Sequence, residues 1–245
     1  MIKLSVNVNK VATLRNSRGG TEPDVLEAVR VCIAAGAPGI TVHPRADQRH
    51  ITIADVLAVA DLLRGFAHVE FNIEGDPRPD LLDLVLKVRP TQCTLVPVSP
   101  GEITSQAGWP ADTPLARLKD AVDRLKKIGV RVSLFVNPDV NAVRWAAAIG
   151  ADRVELYTEP FARAFAGANA KESFCVYADA AEAAHSLGLG VNAGHDLDLR
   201  NLILFRTLPH LAEVSIGHAL ISHALHVGLH QSVHDYLDAL REPAG

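Results

Sequence analysis

The chain has 245 residues, with 24 Lys+Arg against 28 Asp+Glu for a formal net charge of −4, and with 48% hydrophobic and 21% charged residues. That balance excludes intrinsic disorder of the whole chain and argues against a general nucleic-acid binder, which needs a basic surface. Cys32, Cys93 and Cys175 lie far apart in apolar runs (VCIAA, QCTLV, SFCVY) and read as buried small hydrophobes, not as a disulfide framework or a zinc site.

MIKLSVNVNK lacks the apolar stretch and cleavage site of a signal peptide, and charge breaks every later apolar run before about 18 residues. A soluble cytoplasmic protein with no membrane partner is expected. Strands are predicted at Leu4–Val8, Gly39–Val42, Val69–Ile73, Gln92–Val96, Val130–Val136, Arg153–Tyr157, Leu189–Asn192 and Val214–Ile216, each mostly apolar, as strands covered on both faces should be. Helices are predicted at Asp24–Ala35, Ile53–Leu63, Asp80–Val88, Pro114–Ile128, Ala142–Ile149, Ala178–Leu187 and Leu199–Leu208, with a last helical region from Ala219 to Arg241. Gly36, Gly129, Gly150 and Gly188 close helices just before strands.

Eight strand–helix units without a linker or a composition shift predict an α/β fold, one (β/α)8 TIM barrel spanning residues 1–245 with extra short helices. The competing open doubly wound sheet lacks its G-x-G-x-x-G turn after the first strand, and no G-x-x-x-x-G-K-[ST] occurs. FARAFAGANAK, residues 161–171, is longer than a tight connection and reads as an inserted helix or a lid. Thr104–Asp112, with Gly108 and Pro110, reads as a moving loop.

Barrel active sites form at the C-terminal strand ends, so the residues there are the candidates. They are Asn7, Asn9 and Lys10; His43 and Arg45; Asn72 and Glu74; Glu155 and Thr158; Asn192 and His195; Gly217 and His218. Histidines, glutamates and basic groups converging on one mouth suit proton transfer and anion binding. For any one of these histidines a hydrogen-bonded structural role is an even alternative, and Glu74 alone would pass for a turn carboxylate. Arg45, Arg49 and His50 either grip a phosphate or form a solvated loop before a helix that Thr52 caps. Arg15 and Arg18 in RNSRGG, and the SIGHA turn, add a second anion-binding possibility, pointing to small phosphorylated substrates.

His223, His226, His230 and His234 are spaced to share one helical face. No Cys or acidic third ligand stands at a ligand spacing, with Asp235 expected to point elsewhere, so they read as an exposed or interface stripe and no metal site.

Taken in order, LSVNVNKVATLRNSRGG, GITVHPRADQRHIT, FNIEG, TLVPVSPGEITS, VSLFVNPD, GLGVNAGHDL and VSIGHALI resemble the pyridoxine 5'-phosphate synthase family over almost the whole chain. The resemblance implies a barrel enzyme of vitamin B6 synthesis that condenses 1-deoxy-D-xylulose 5-phosphate with 3-amino-2-oxopropyl phosphate, releasing phosphate and water. It implies general bases at His43 and Glu74 and a proton donor at His195. It implies ligands of the aminoketone phosphate at Asn7, Arg18, Gly217 and His218, and of the deoxyxylulose phosphate at Arg45, His50 and Thr104. It further implies no metal, no organic cofactor and a homo-oligomer, commonly an octamer.

Two motifs depart from the family pattern, at three positions. Asn9 and Lys10 stand where Asn-x-Asp-His would place an acid and an imidazole, and Asp196 stands where glycine often follows the NAGH histidine. All three are kept as candidate substrate-binding residues, since Lys10 can meet a phosphate and Asp196 can either raise the His195 pKa or hinder an anion. Glu70 competes with Glu74 for the base, and FNIEG favours Glu74. Imine formation, phosphate loss, carbon–carbon closure and aromatisation need proton transfers and no redox cofactor. Two other readings stand beside this one: a phosphate-binding aldolase, for which only Lys10 is placed as a Schiff-base lysine, and a barrel that binds phosphates without chemistry.

Overall fold

A computed structural model describes residues 1–98 and 105–241. Its first half comprises β1 (Lys3–Asn7), α1 (Asn9–Asn16), α2 (Val25–Ala34), β2 (Gly39–Val42), α3 (Ile53–Leu63), β3 (Glu70–Gly75), α4 (Pro79–Val88), β4 (Gln92–Leu95) and α5 (Ala116–Lys127). The second half comprises β5 (Arg131–Val136), α6 (Val140–Ile149), β6 (Arg153–Tyr157), α7 (Glu159–Phe165), α8 (Ala170–Ser186), β7 (Gly190–Gly194), α9 (Leu202–Phe205), β8 (Leu211–Ile216), α10 (His218–Val227) and α11 (Leu229–Ala239). All strands are parallel, each pairs with the next, and β8 returns to β1 by setting Glu213 against Lys3 and Ile216 against Val6. The result is the expected closed (β/α)8 barrel.

The expectation of strands apolar on both faces is corrected. Side chains alternate in and out along a strand. Ser5 and Thr41 hydroxyls lie 2.6 Å apart, Asn72 donates to Thr41 at 3.3 Å, and Thr94 donates to Asn72 at 3.1 Å. Toward the N-terminal end, Glu70 binds Lys3 and Arg131, while Glu213 takes Gln92 and Arg153, each at 3.3 Å. The barrel interior is therefore a hydrogen-bonded polar column. The intervening Leu4, Val6, Ile40, Val42, Ile73, Leu134, Val154 and Val214 are fully buried and face the helices. The hydrophobic core is the shell between barrel and helices, where each such side chain is worth about 1.5–3 kcal/mol.

Several local expectations change. NKVATLRN, not among the predicted helices, is helix α1. The 161–171 segment ends α7 and begins α8, which starts at Ala170 and not at Ala178. Cys175 thereby falls on an exposed helix face, while Cys32 and Cys93 are buried as expected. The last helical region breaks at Gly228, whose φ of +86° and ψ of 152° leave helical space. His223 and His226 thus belong to α10, and His230 and His234 to α11, so the four do not share one helix face. Asp235 does not point away, because its Oδ2 lies 2.6 Å from His223 Nε2. Among the described residues no group of three or more His, Cys, Asp or Glu could hold a metal ion, and no helix is long and apolar enough to cross a membrane.

Thr52 caps α3 as expected, in a reciprocal capping box with Asp55. The other Asp55 contacts explain Arg15: its guanidinium grips that carboxylate with bonds of 2.6 and 2.9 Å, so Arg15 ties α1 to α3 and offers nothing to the barrel mouth. Of the segment read as a moving loop, Gly108 and Trp109 are anchored to β5. Gly108 N–H donates to Asn137 Oδ1 at 2.9 Å, and Trp109 N–H donates to the Phe135 carbonyl at 2.8 Å.

Candidate active site

The C-terminal strand ends open into a cavity of about 340 Å³. Asn7, Asn9, Lys10, His43, Arg45, His50, Glu74, His195, Asp196, Gly217 and His218 all line it. Two further expected site residues are Arg18 and Thr104. Arg18 is exposed beyond α1 and is not part of the cavity wall, and Thr104 lies outside the described residues.

The end of β1 organises one side. Asn7 Oδ1 accepts the Asn9 N–H at 3.0 Å, and Asn9 Oδ1 accepts the His43 N–H at 2.9 Å. The amide at position 9 is thus a strut between β1 and the end of β2. Asn7 also reaches Glu74 Oε2 at 3.5 Å, and Ser215 donates to Glu74 Oε1 at 3.3 Å. Glu74 is therefore at the mouth, whereas Glu70 is at the opposite end with Lys3 and Arg131, so of the two carboxylates it is Glu74 that faces the cavity.

His43 Nδ1 faces Glu74 Oε2 at 3.8 Å, and His43 Nε2 is buried with no hydrogen-bond partner among the described residues. Burial, reinforced by His50, Arg45 and Arg78, pushes the His43 pKa down to about 3. Burial pushes Glu74 up to about 7, opposed by the Ser215 hydroxyl and aided by Glu213. The 3.8 Å approach is accordingly a contact between a neutral imidazole and a carboxyl group, not an ion pair. An unprotonated imidazole beside a carboxyl that titrates near neutrality is suited to accept and pass protons.

Arg45, nearly fully buried, and His50 form one wall. Burial, then Arg45 and Lys10, lower the His50 pKa to about 4. His50 Nδ1 accepts the Ile51 N–H at 2.9 Å, which orients its ring. Gly217, also on the cavity wall, is the N-cap of the ten-residue helix α10, whose first residue is His218, and the first N–H groups of a helix have no partner within it. A Cβ at Gly217 would stand 3.1 Å from the Asn7 Cβ and carbonyl, so glycine permits this close approach.

Glu155, named at a strand end but given no role from the sequence, lines the same cavity and is 3% exposed. Burial first, then Glu74 and Glu213, hold its pKa well above the usual carboxylate range, and Thr94 donates to it at 3.4 Å. The signal for it was the alternation in RVELY, which puts Arg153, Glu155 and Tyr157 on one face. A Cβ at Gly194 would come 2.4 Å from Glu155 Oε1, so the glycine leaves room for this carboxyl in its present position.

A family profile described as pyridoxal phosphate biosynthesis protein PdxJ matches residues 4–242. A pyridoxine 5'-phosphate synthase of Phocaeicola vulgatus is 52% identical over 242 residues, covering 98% of this chain and 100% of that protein. One from Xanthomonas oryzae pv. oryzae is 54% identical over 251 residues, covering 98% and 97%. Among solved structures, 3-hexulose-6-phosphate synthase from Salmonella typhimurium superposes with a TM-score of 0.65 at 12% identity, covering 98% of each chain, a likeness of fold alone. With a family match over nearly its whole length and half its residues identical to named members, the chain belongs to the PdxJ family of pyridoxal phosphate biosynthesis proteins, enzymes of the synthase type.

Proposed function

We propose that this chain is a pyridoxine 5'-phosphate synthase, condensing 3-amino-2-oxopropyl phosphate with 1-deoxy-D-xylulose 5-phosphate to pyridoxine 5'-phosphate, phosphate and water. The observation that carries this reading is one cavity lined by His43, Glu74 and His195 together with two anion-prone groups, Arg45 and His50 after β2 and the Gly217–His218 helix start after β8. Two phosphorylated reactants need two such groups, and a condensation needs proton carriers in the same cavity.

In this reading His43 and Glu74 take protons as the amine adds to the ketone and as phosphate leaves, and His195 protonates departing oxygens. Arg45 and His50, with Thr104, bind the deoxyxylulose phosphate. Asn7, Gly217 and His218 bind the aminoketone phosphate, with Asn9, Lys10 and Asp196 on the same rim. Arg18, off the cavity wall of one chain, has no part within it. Glu155, its pKa raised well above the usual carboxylate range by burial, lines the same cavity. The same reading takes residues 1–245 as one domain, acting in the cytoplasm as a homo-oligomer, octameric by family resemblance.

The aldolase reading finds less support. Lys10 is the only lysine on the cavity wall of the described residues, and it sits on the first turn of α1, exposed at the rim instead of inside the barrel. Phosphate release measured with each substrate alone and with both together tests the reaction class. Release only with both is expected, while release from either alone, or a borohydride-trapped lysine adduct, overturns the condensation.

A further inference from the structure

His195 and Asp196 follow Gly194, the last residue of β7, with φ of +90° and +60°. Residues with side chains avoid this left-handed region, and holding one there costs on the order of 1–3 kcal/mol. The neighbouring elements enforce it. Thr158 donates its N–H and its hydroxyl to the Gly194 carbonyl at 3.0 and 2.8 Å. That hydroxyl also bonds the His195 carbonyl, and Asn201 Nδ2 donates to the Asp196 carbonyl at 3.0 Å. The His195 ring stands edge-on to Tyr157 at 5.1 Å between centroids.

The turn has one chemical result. In extended backbone, adjacent side chains point to opposite faces. Here they meet, with His195 Nδ1 2.8 Å from Asp196 Oδ2. The hydrogen bond from His195 is the largest influence holding the Asp196 carboxyl below its usual range, with the fields of His195, His218 and Lys10 acting in the same sense. An ionised carboxylate only accepts, so Nδ1 carries the hydrogen and donates it.

We propose that Asp196 is a positioning residue for His195, committing Nδ1–H to a carboxylate so that ring orientation and tautomer are set and proton transfer to substrate runs through Nε2. This deepens the proposed function and rests on its assignment of His195 as proton donor. The logic is that of any imidazole oriented by an acid on its far nitrogen. It also gives the backbone strain a purpose, because the left-handed turn brings these two consecutive side chains into contact.

The test compares wild type with Asp196→Asn, which tolerates left-handed backbone, and with Asp196→Gly, which relieves it. Steady-state kinetics and the 15N signals of the His195 ring are measured on each. Both variants are expected to lower kcat by roughly tenfold or more, part of a general-acid contribution, with KM within about threefold. The His195 nitrogens are expected to show Nδ1–H in wild type and to lose that pattern in both variants. Unchanged kcat, an effect confined to KM, or identical nitrogen signals in wild type and Asp196→Asn overturns the proposal. If wild type forms no product, the functional reading fails separately, and the nitrogen signals alone decide the pairing.

Discussion

Glu74 approaches neutral pH still carrying a proton because the barrel interior withholds water from its carboxylate, and that determines what the site can do. Its pKa is raised from the usual 4.5 to about 7, so the base form grows in as pH rises through 7. The pH profile of kcat/KM is expected to show an acid limb near 7, and a limb at or below 5 would contradict a buried Glu74 base. His43, lowered to about 3, is unprotonated across that range and adds no limb. Glu74→Gln is expected to cut turnover by roughly 10²–10⁴ while substrate affinity, read by calorimetry, stays within a few-fold. Stability carries the same signature. A raised carboxyl stabilises the fold fully below about 4.5 and loses that contribution as pH rises through about 7. Gln stays neutral, so the stability of Glu74→Gln relative to wild type should increase over that window in denaturant titrations. The strand-end rule was enough to find His43, Glu74, His195, Gly217 and His218 in the sequence, because a parallel barrel brings those ends together whatever the loops do. It could not place Arg15, whose partner Asp55 is forty positions away and claims it by a bidentate ion pair.

The elements the sequence revealed are those with strong apolar periodicity, and the ones it hid are weak in the same measure. Helix α1 buries only Val11 and Ala12 and has no side-chain cap, so neither a start signal nor an apolar face announces NKVATLRN. In the last helical region apolar spacing runs straight through Gly228, and only the backbone conformation there separates α10 from α11. The polar barrel lining was legible as alternation in ITVHPR, EFNIEG, QCTL and RVELY, but expecting buried parallel strands to be apolar on both faces masked it. One close approach makes an element-scale prediction. A Cβ on Gly108 would stand 2.2 Å from the Val136 carbonyl carbon, backbone against backbone. Gly108→Ala should therefore pull Trp109 off β5 and cost about 1–3 kcal/mol by urea unfolding. An unchanged midpoint would show that this tether is not a fixed part of the fold.

At the scale of the whole molecule, a barrel filled with polar side chains draws stability from its outer shell and must keep its inner groups paired. Glu213 is nearly fully buried, with Arg153 Nη1 at 3.3 Å and Arg131 Nη2 at 3.9 Å. Arg153→Met strips the nearer cation and should destabilise the protein by about 3 kcal/mol, whereas adding Glu213→Gln should recover part of the loss. A double variant no more stable than the single one would argue against an interior held by charge pairing. The net charge of −4 set against a mouth bearing Lys10 and Arg45 also fits a protein that attracts small anions rather than nucleic acid. The most direct measurement of the central claim is incubation of the purified protein with 3-amino-2-oxopropyl phosphate and 1-deoxy-D-xylulose 5-phosphate, following pyridoxine 5'-phosphate and inorganic phosphate together. Stoichiometric appearance of both is the expected result, and binding of the substrates without either product would contradict it.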